Sequence, residues 1–228
     1  MSDKLSLSAA QEDYLKQIYL LGEQQHEAIV TTQALAQRLA VRPPSVTGML
    51  KKLDQQQLVE HVPYRGVRLT DAGRRVALRL LRSHRLLEAY LHDALGYGWD
   101  EVHEEAERLE HVISEQLETR IARVLGDPTH DPHGDPIPSA ELDFPESAHV
   151  CLLTRLDDGE RARIVRVTSQ DRDTLNLLAR LGLTPGVEIE VCEAAAGGVR
   201  IEIGGQRFLL PAQLAAGLLV ERRAQAAP

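Results

Sequence analysis

Apolar residues recur at helical spacing from the first residues onward. Tyr14, Leu15, Ile18 and Leu21 share one side of an amphipathic stretch from about Ala9 to Leu21, and Gly22 is expected to begin its end. After a short extended piece at Ile29-Val30, Thr31 or Thr32 can cap a second helix carrying Leu35 and Leu39. A turn at Val41-Arg42 follows. Pro43 and Pro44 suit the opening of a third helix, where a missing N–H costs nothing, and Val46, Leu50 and Leu53 then fall at i, i+4 and i+7. Leu58–Val62 and Gly66–Leu69 predict two short strands around Pro63-Tyr64-Arg65, a hairpin or wing.

The pattern then lengthens. From Asp71 a helix is predicted to about Leu95, with Ala77, Leu80, Leu81, Leu87 and Leu91 on one side and Gly96 and Gly98 interrupting it. Asp100 can cap another through Leu125, striped by Val102, Ala106, Leu109, Ile113, Leu117 and Ile121. These are the longest apolar stripes in the chain, and two such helices would bury their faces against each other and against a second subunit. Five of the eleven prolines fall between Gly126 and Pro145, which predicts a loop or linker. Beyond it, Arg163–Val167, Val187–Val191 and Val199–Ile203 alternate apolar and polar residues with glycines between, the pattern of a small antiparallel β-barrel.

Composition sets bounds on what such a chain can be. At 228 residues, 43% hydrophobic and 26% charged, it can bury a sizeable core in two or three modules. No stretch has the length of a signal peptide's apolar region or of a membrane span, so a cytoplasmic location without membrane association is expected. The two cysteines, Cys151 and Cys192, lie in predicted strands, offer neither a disulfide framework nor a cysteine zinc site, and are expected to be buried hydrophobes. The formal charge of −8 argues against nucleic acid until its distribution is considered. Eleven basic residues face three acidic ones between positions 36 and 85, a net of +8 that leaves −16 for the remainder. A local DNA footprint on an acidic protein has this asymmetry.

Helix, turn, helix and hairpin, with positive charge on the second helix and the hairpin, is the layout that sets a recognition helix in the major groove. It places Arg42, Pro44, Ser45 and Thr47 at the helix start near bases or phosphates and Lys51 further along, with Arg65 and Arg68 of the wing reaching backbone or minor groove. Histidine and glutamate form a second pattern. His84 and Glu88 are four apart on one predicted helix; His103, Glu107 and Glu110 follow at i, i+4 and i+7 on the next, with His111 beside Glu110. The row flanks an apolar stripe, where such groups are costly unless neutralised, and a divalent cation neutralises several at once. His26, His61, His92, His130, His133 and His149 have no such partners in the pattern and receive no role. Helical di-metal enzymes use Glu-x-x-His elements, which neither helix carries, and His-Glu-x-x-His is absent, so no enzyme and no catalytic residue is expected. A winged-helix regulator sensing an organic effector remains the alternative, with His84, Glu88 and His103 as polar core.

The strings Arg82–Glu88, Val102–Ser114 and Asp131–Pro138 resemble the diphtheria toxin repressor family of iron- and manganese-dependent bacterial regulators, and Leu181–Gly186 looks like the start of the SH3-like barrel of its longer members. The resemblance spans the chain. It implies a mainly α fold with a small β domain: a winged helix-turn-helix over 1–72, a helical metal-binding and dimerisation domain over 73–140, a linker at 141–148 and an SH3-like (FeoA-like) domain over 149–224. It also implies a homodimer on double-stranded operator DNA with two metal sites per subunit. The primary, activating site would join Asp13 to Glu107, Glu110 and His111, and the ancillary site would use His84, Glu88 and His103 with Gln170 and Asp173, or Asp171, from the barrel. Iron-type members carry Met and Cys where this chain has Asp13 and Glu107, so the all-oxygen-and-imidazole site implies Mn²⁺ first and Fe²⁺ second. Lys16 stands where short manganese-type members carry a glutamate ligand, which favours an ancillary site set apart from the primary one. Repression of metal-uptake genes is the implied role.

Overall fold

The computed structural model describes residues 7–25, 27–145, 150–195 and 197–223; His26, His149 and residues 146–148 of the expected linker lie outside them. The chain divides into two compact units, Met1–Ser83 with Ala140–Asp143, and His84–Ser139 with Phe144–Pro228.

In the first unit α1 (Ala9–Gln25), α2 (Thr32–Arg38) and α3 (Pro43–Gln55) precede the hairpin of β1 (Val59–Val62) and β2 (Gly66–Leu69). Thr31 caps α2 by accepting from the Ala34 N–H, and the proline pair opens α3. Gly22 does not end α1, which runs on to Gln25. One glycine inside a helix costs only about 1 kcal/mol, which the buried Leu15, Ile18 and Leu21 of that helix outweigh. Leu35, Val46, Leu50, Leu53 and Leu58 are almost fully buried with them. The wing is tied to this core through Val30, whose N–H and carbonyl both pair with Val67. Gly66 permits the approach: its φ is +137°, and a Cβ there would lie 2.2 Å from the Val30 oxygen.

α4 (Asp71–Asp93) carries the chain from the first unit into the second. The single long helix expected over 100–125 is two, α5 (Val102–Leu109) and α6 (Glu115–Val124). Ser114 explains the restart, because its hydroxyl accepts from the Leu117 N–H and caps α6, with Glu115 and Glu118 in the first turn. The apolar stripe stays in phase across the break, which conceals it in the sequence. Ile121 and Ala122 join Leu86, Leu87, Leu91, Val102 and Ala106 in one core, whereas Val112, Leu117 and Val124 are exposed on this single chain.

The β domain is a six-stranded antiparallel sheet of order β3-β8-β4-β5-β6-β7, with β3 (Val150–Leu152), β4 (Arg161–Val167), β5 (Glu188–Ala195), β6 (Gly198–Ile203), β7 (Gln206–Pro211) and β8 (Leu218–Arg222). Register shifts in β4 and β5 bend it around Leu153, Ile164, Leu175, Leu178, Val191, Ile201 and Val220. Two helices, α7 (Arg172–Arg180) and α8 (Ala212–Ala215), interrupt the strands. The two cysteines are half-buried and free, not core residues.

Candidate functional site

The residues expected to face DNA are displayed together. Arg42, Pro44, Ser45, Thr47 and Lys51 are all exposed on or beside α3, on the side away from buried Val46, Leu50 and Leu53. Arg65 is exposed at the turn of the wing. Arg68 is exposed too, but its guanidinium already pairs with Glu60 across the hairpin, at 2.8 Å from Nε and 2.7 Å from NH2.

Inside the second unit, His84, Glu88 and Glu110 are buried and His103 is half-buried. Glu88 Oε1 lies 3.0 Å from His84 Nε2 and 2.9 Å from His103 Nδ1, and the two ring nitrogens are 3.1 Å apart. Cis donors around an octahedral ion with bonds of about 2.1 Å are about 3.0 Å apart, so these three atoms already form one face of such a site. Two imidazoles and a carboxylate on one face is a transition-metal arrangement. The other ring nitrogen of His84 is 2.6 Å from Glu110 Oε2, a carboxylate contact of the kind that fixes the tautomer of a metal-ligating histidine.

The helix break positions the next two residues. Glu110 is the C-cap of α5 and His111 follows it in the interrupted segment, its Nε2 3.6 Å from Glu110 Oε1. Glu107 is exposed and stands 3.6 Å from His103 Nε2, outside the donor sets formed by these residues. Asp13 is on α1 in the first unit, as is Lys16, which is buried. Of the barrel candidates, Asp171 is the N-cap of α7, its carboxylate accepting from the Thr174 N–H, and Asp173 is exposed. Gln170 Oε1 is buried without a hydrogen-bond partner.

Sequence reasoning missed Asp131 and His133. The proline-rich stretch is irregular, as expected, but it is no loose linker: Asp131, His133, Asp135 and Ile137 are buried. Asp131 Oδ1 accepts from the His133 and Asp135 N–H groups, which curls the loop and aims Oδ2 inward. His133 Nε2 contacts the Trp99 carbonyl at 2.9 Å, and this acceptor requires the ring to carry its proton there. Its Nδ1 faces Glu88 Oε2, 3.8 Å away; burial pushes the imidazole's pKa down, but the Glu88 carboxylate outweighs it and raises it above the ordinary value. Glu88 Oε2, Asp131 Oδ2 and His133 Nδ1 are all buried without hydrogen bonds, and the three residues offer donor atoms within 4.8 Å of one another. The Asp-x-His spacing was the available signal, but nothing in a local pattern placed it opposite Glu88.

Electrostatics reflect the crowding. Burial pushes the Glu88 carboxyl up, but His84 together with His103 and His133 outweighs it and holds the group well below the usual carboxylate range. Asp131 goes the other way: burial, then the charges of Glu88 and Asp135, push it well above that range, and nearby Arg85 offsets this only in part. Unfolded, Asp131 ionises near its ordinary pKa; folded, it resists. The stability it contributes is therefore present below the ordinary pKa and lost as pH rises toward the elevated one. Asp131→Asn retains the oxygen that curls the loop and removes the charge. In chelator at pH 7 it is expected to melt a few degrees above wild type, with the difference closing near pH 4, as read by scanning calorimetry. A lower melting temperature at pH 7 would mean that Asp131 ionises in the folded protein without cost.

Comparison with known proteins shows the family. Residues 6–67 match the iron dependent repressor N-terminal DNA binding domain, residues 70–139 the iron dependent repressor metal binding and dimerisation domain, and residues 151–222 the FeoA domain. The iron-dependent repressor IdeR of Mycobacterium tuberculosis (strain ATCC 25618 / H37Rv) is 36% identical over 224 residues, covering 92% of this chain and 96% of its own. The diphtheria toxin repressor of Corynebacterium glutamicum is 33% identical over 221 residues, covering 92% and 95%. Among solved structures, a manganese-dependent transcriptional repressor in complex with manganese superposes with a TM-score of 0.85 at 37% identity, covering 93% of this chain and all of that one. ScaR with bound Zn²⁺ gives 0.78 at 34%, covering 93% and 99%. A winged helix-turn-helix joined to buried imidazole and carboxylate donors defines a metal-dependent DNA-binding regulator. The chain belongs to the iron-dependent repressor family, the diphtheria toxin repressor group of iron- and manganese-dependent transcriptional repressors.

Proposed function

We propose that this protein is a manganese-responsive repressor of metal-uptake genes, active in the cytoplasm as a homodimer on operator DNA. The observation that carries the reading is the His84, Glu88 and His103 donor face, with His84 and Glu88 buried and His103 half-buried, joined to Glu110 through the His84 ring. Asp13, Glu107, Glu110 and His111 would hold the activating ion, and His84, Glu88 and His103 the ancillary one, with Gln170 and Asp173 as barrel ligands. The exposed Glu107 has to turn inward on binding. Oxygen and imidazole donors without thiolate or thioether favour Mn²⁺ over softer ions, with Fe²⁺ the alternative. When bound, the cation supplies the positive charge these buried carboxylates lack.

Asp13 belongs to the DNA-binding unit and the other primary ligands to the helical domain, so a shared ion limits how the recognition helix is presented. A two-fold dimer reading successive major grooves needs its recognition helices about 34 Å apart. The exposed Val112, Leu117 and Val124 supply an apolar face for the partner copy. Arg42, Pro44, Ser45, Thr47 and Lys51 would read the major groove and Arg65 the backbone or minor groove, while Arg68, committed to Glu60, would serve chiefly to stiffen the wing. Fluorescence anisotropy with a promoter fragment of a metal-uptake gene, in chelator, Mn²⁺, Fe²⁺ and Zn²⁺, tests the switch. Tight binding in Mn²⁺ and weak binding in chelator are expected; equal affinity in both rejects it.

A further inference from the structure

The recognition helix and the wing do not absorb all the positive charge of the first unit. On α4, Arg75 and Arg79 are exposed one turn apart, and among the described residues neither side chain enters an ion pair or a hydrogen bond. The β domain treats its arginines differently: Arg161, Arg163, Arg172, Arg200, Arg207 and Arg223 each have a carboxylate within 3.4 Å. On α4 the single acidic residue before Glu88 is Asp71, which is exposed four positions ahead of Arg75 and does not pair with it.

This arrangement works against the helix that carries it. Arg75 and Arg79 are like charges at i and i+4, a spacing that destabilises, and half-buried Arg82 follows three residues on. Arg74 and Arg75 also stand near the positive N-terminal end of α4, where anions are favoured and cations are not. Arg74 has a partner, since its guanidinium lies 5.9 Å from the centre of the Tyr19 ring of α1; Arg75 and Arg79 face solvent. A local choice that costs stability and is not offset inside the fold is the mark of a functional surface. The placement of this pair relative to α3 is fixed. The Thr70 N–H donates to the Leu58 carbonyl at 3.1 Å and its hydroxyl to the Gln57 carbonyl at 2.8 Å, while a Cβ on Gly73 would lie 1.9 Å from the Leu58 oxygen. The first turn of α4 is thus pinned to the end of the recognition helix, just beyond the residues 6–67 that match the DNA binding domain.

We infer that Arg75 and Arg79 form a second, sequence-independent DNA contact, a ridge that takes the phosphodiester backbone flanking the site read by α3. Two guanidiniums are always charged and present forked donors suited to phosphate oxygens, and here no carboxylate occupies them. Four residues of helix separate them by about 6 Å, the scale of a strand that carries one phosphate per about 3.4 Å of duplex axis. The acidic remainder of a second copy is the competing partner. DNA is favoured because the ridge shares its unit and its sign of charge with exposed Arg42, Lys51 and Arg65, whereas the apolar Val112, Leu117 and Val124 belong to the other unit.

The inference rests on the DNA-binding reading above and is tested through salt. Arg75→Gln/Arg79→Gln in the full-length chain is compared with Arg155→Gln/Arg180→Gln, which removes the same charge from exposed arginines of the β domain. Fluorescence anisotropy between 50 and 200 mM salt, with the promoter fragment in Mn²⁺ and with an unrelated duplex in Mn²⁺ and in chelator, gives the slope of log affinity against log salt. Each phosphate contact contributes about 0.9 to that slope, so the ridge variant should lose about 1.8 on both duplexes and the control none. Wild type should then lose about 10-fold more affinity than the ridge variant across this range, with the preference for promoter over unrelated DNA unchanged. Without DNA, the ridge variant should remain dimeric by sedimentation and melt no lower than wild type, because a repulsion has been removed. An unchanged slope, an equal fall in the control, a ridge variant that dissociates, or one that melts below wild type overturns the inference. The ratio of wild-type affinities in Mn²⁺ and chelator reports separately on the metal switch, and the slope on the unrelated duplex is readable whether or not that switch exists.

Discussion

Asp13→Ala and His111→Ala are each expected to bind operator DNA in manganese no better than wild type binds it in chelator, a loss of about 10- to 100-fold. The size follows from linkage. An ion can tighten DNA binding only by as much as it prefers the DNA-competent arrangement, and couplings of about 1 to 3 kcal/mol give 5- to 150-fold. On the proposed assignment these residues supply ligands from the two units, so losing either leaves the ion, if held at all, on one unit only. Reciprocity supplies a second measurement: operator DNA must tighten manganese binding to wild type by the same factor and leave its binding to the variants unchanged. Glu107→Ala is the sharper variant, because that side chain is exposed before any ion arrives and its removal costs the fold little. Activation that survives intact in Asp13→Ala would remove the first helix from the metal site.

Gly134→Ala is expected to destabilise the protein by about 2 to 4 kcal/mol, more than any surface substitution. A Cβ at this position would lie 1.9 Å from the Val165 oxygen and 2.8 Å from the Arg166 Cα, and the residue has φ +84°. Backbone cannot yield there without breaking the hydrogen bond from the Val167 N–H to the His133 carbonyl. Gly159→Ala and Gly182→Ala are the controls. Their φ values are +81° and +70° with nothing within 4 Å of the added atom, so they carry only the left-handed strain of about 1 to 2 kcal/mol. Urea unfolding of the three variants separates close approach from strain. If Gly134→Ala cost no more than the controls, the loop would not be pressed against β4.

Much of the fold was legible because its signals are local. Thr31 caps a helix within three residues of itself, Pro43 and Pro44 open one, and Val46, Leu50 and Leu53 mark a single buried face, all properties of short segments. The charge asymmetry was legible for the same reason, and the structure displays Arg42, Ser45, Thr47, Lys51 and Arg65 on one exposed element and the neighbouring wing. The break after Leu109 was signalled by Ser114 and the acidic residues behind it. An uninterrupted apolar stripe outweighed that signal, because periodicity averages over a window longer than the five-residue gap.

The sequence by itself determined most of the elements and the kind of side chain that faces inward: His84 and Glu88 one helical turn apart could only face the same way. Only the tertiary structure decided that His133, forty-five positions beyond Glu88, stands against its second oxygen, that Asp131 joins it, and that Arg68 is spent on Glu60. The reason is physical. Spacing along a chain fixes which side of an element a residue takes, whereas the meeting of a loop with a helix depends on how whole layers pack, and no short window of sequence contains that information.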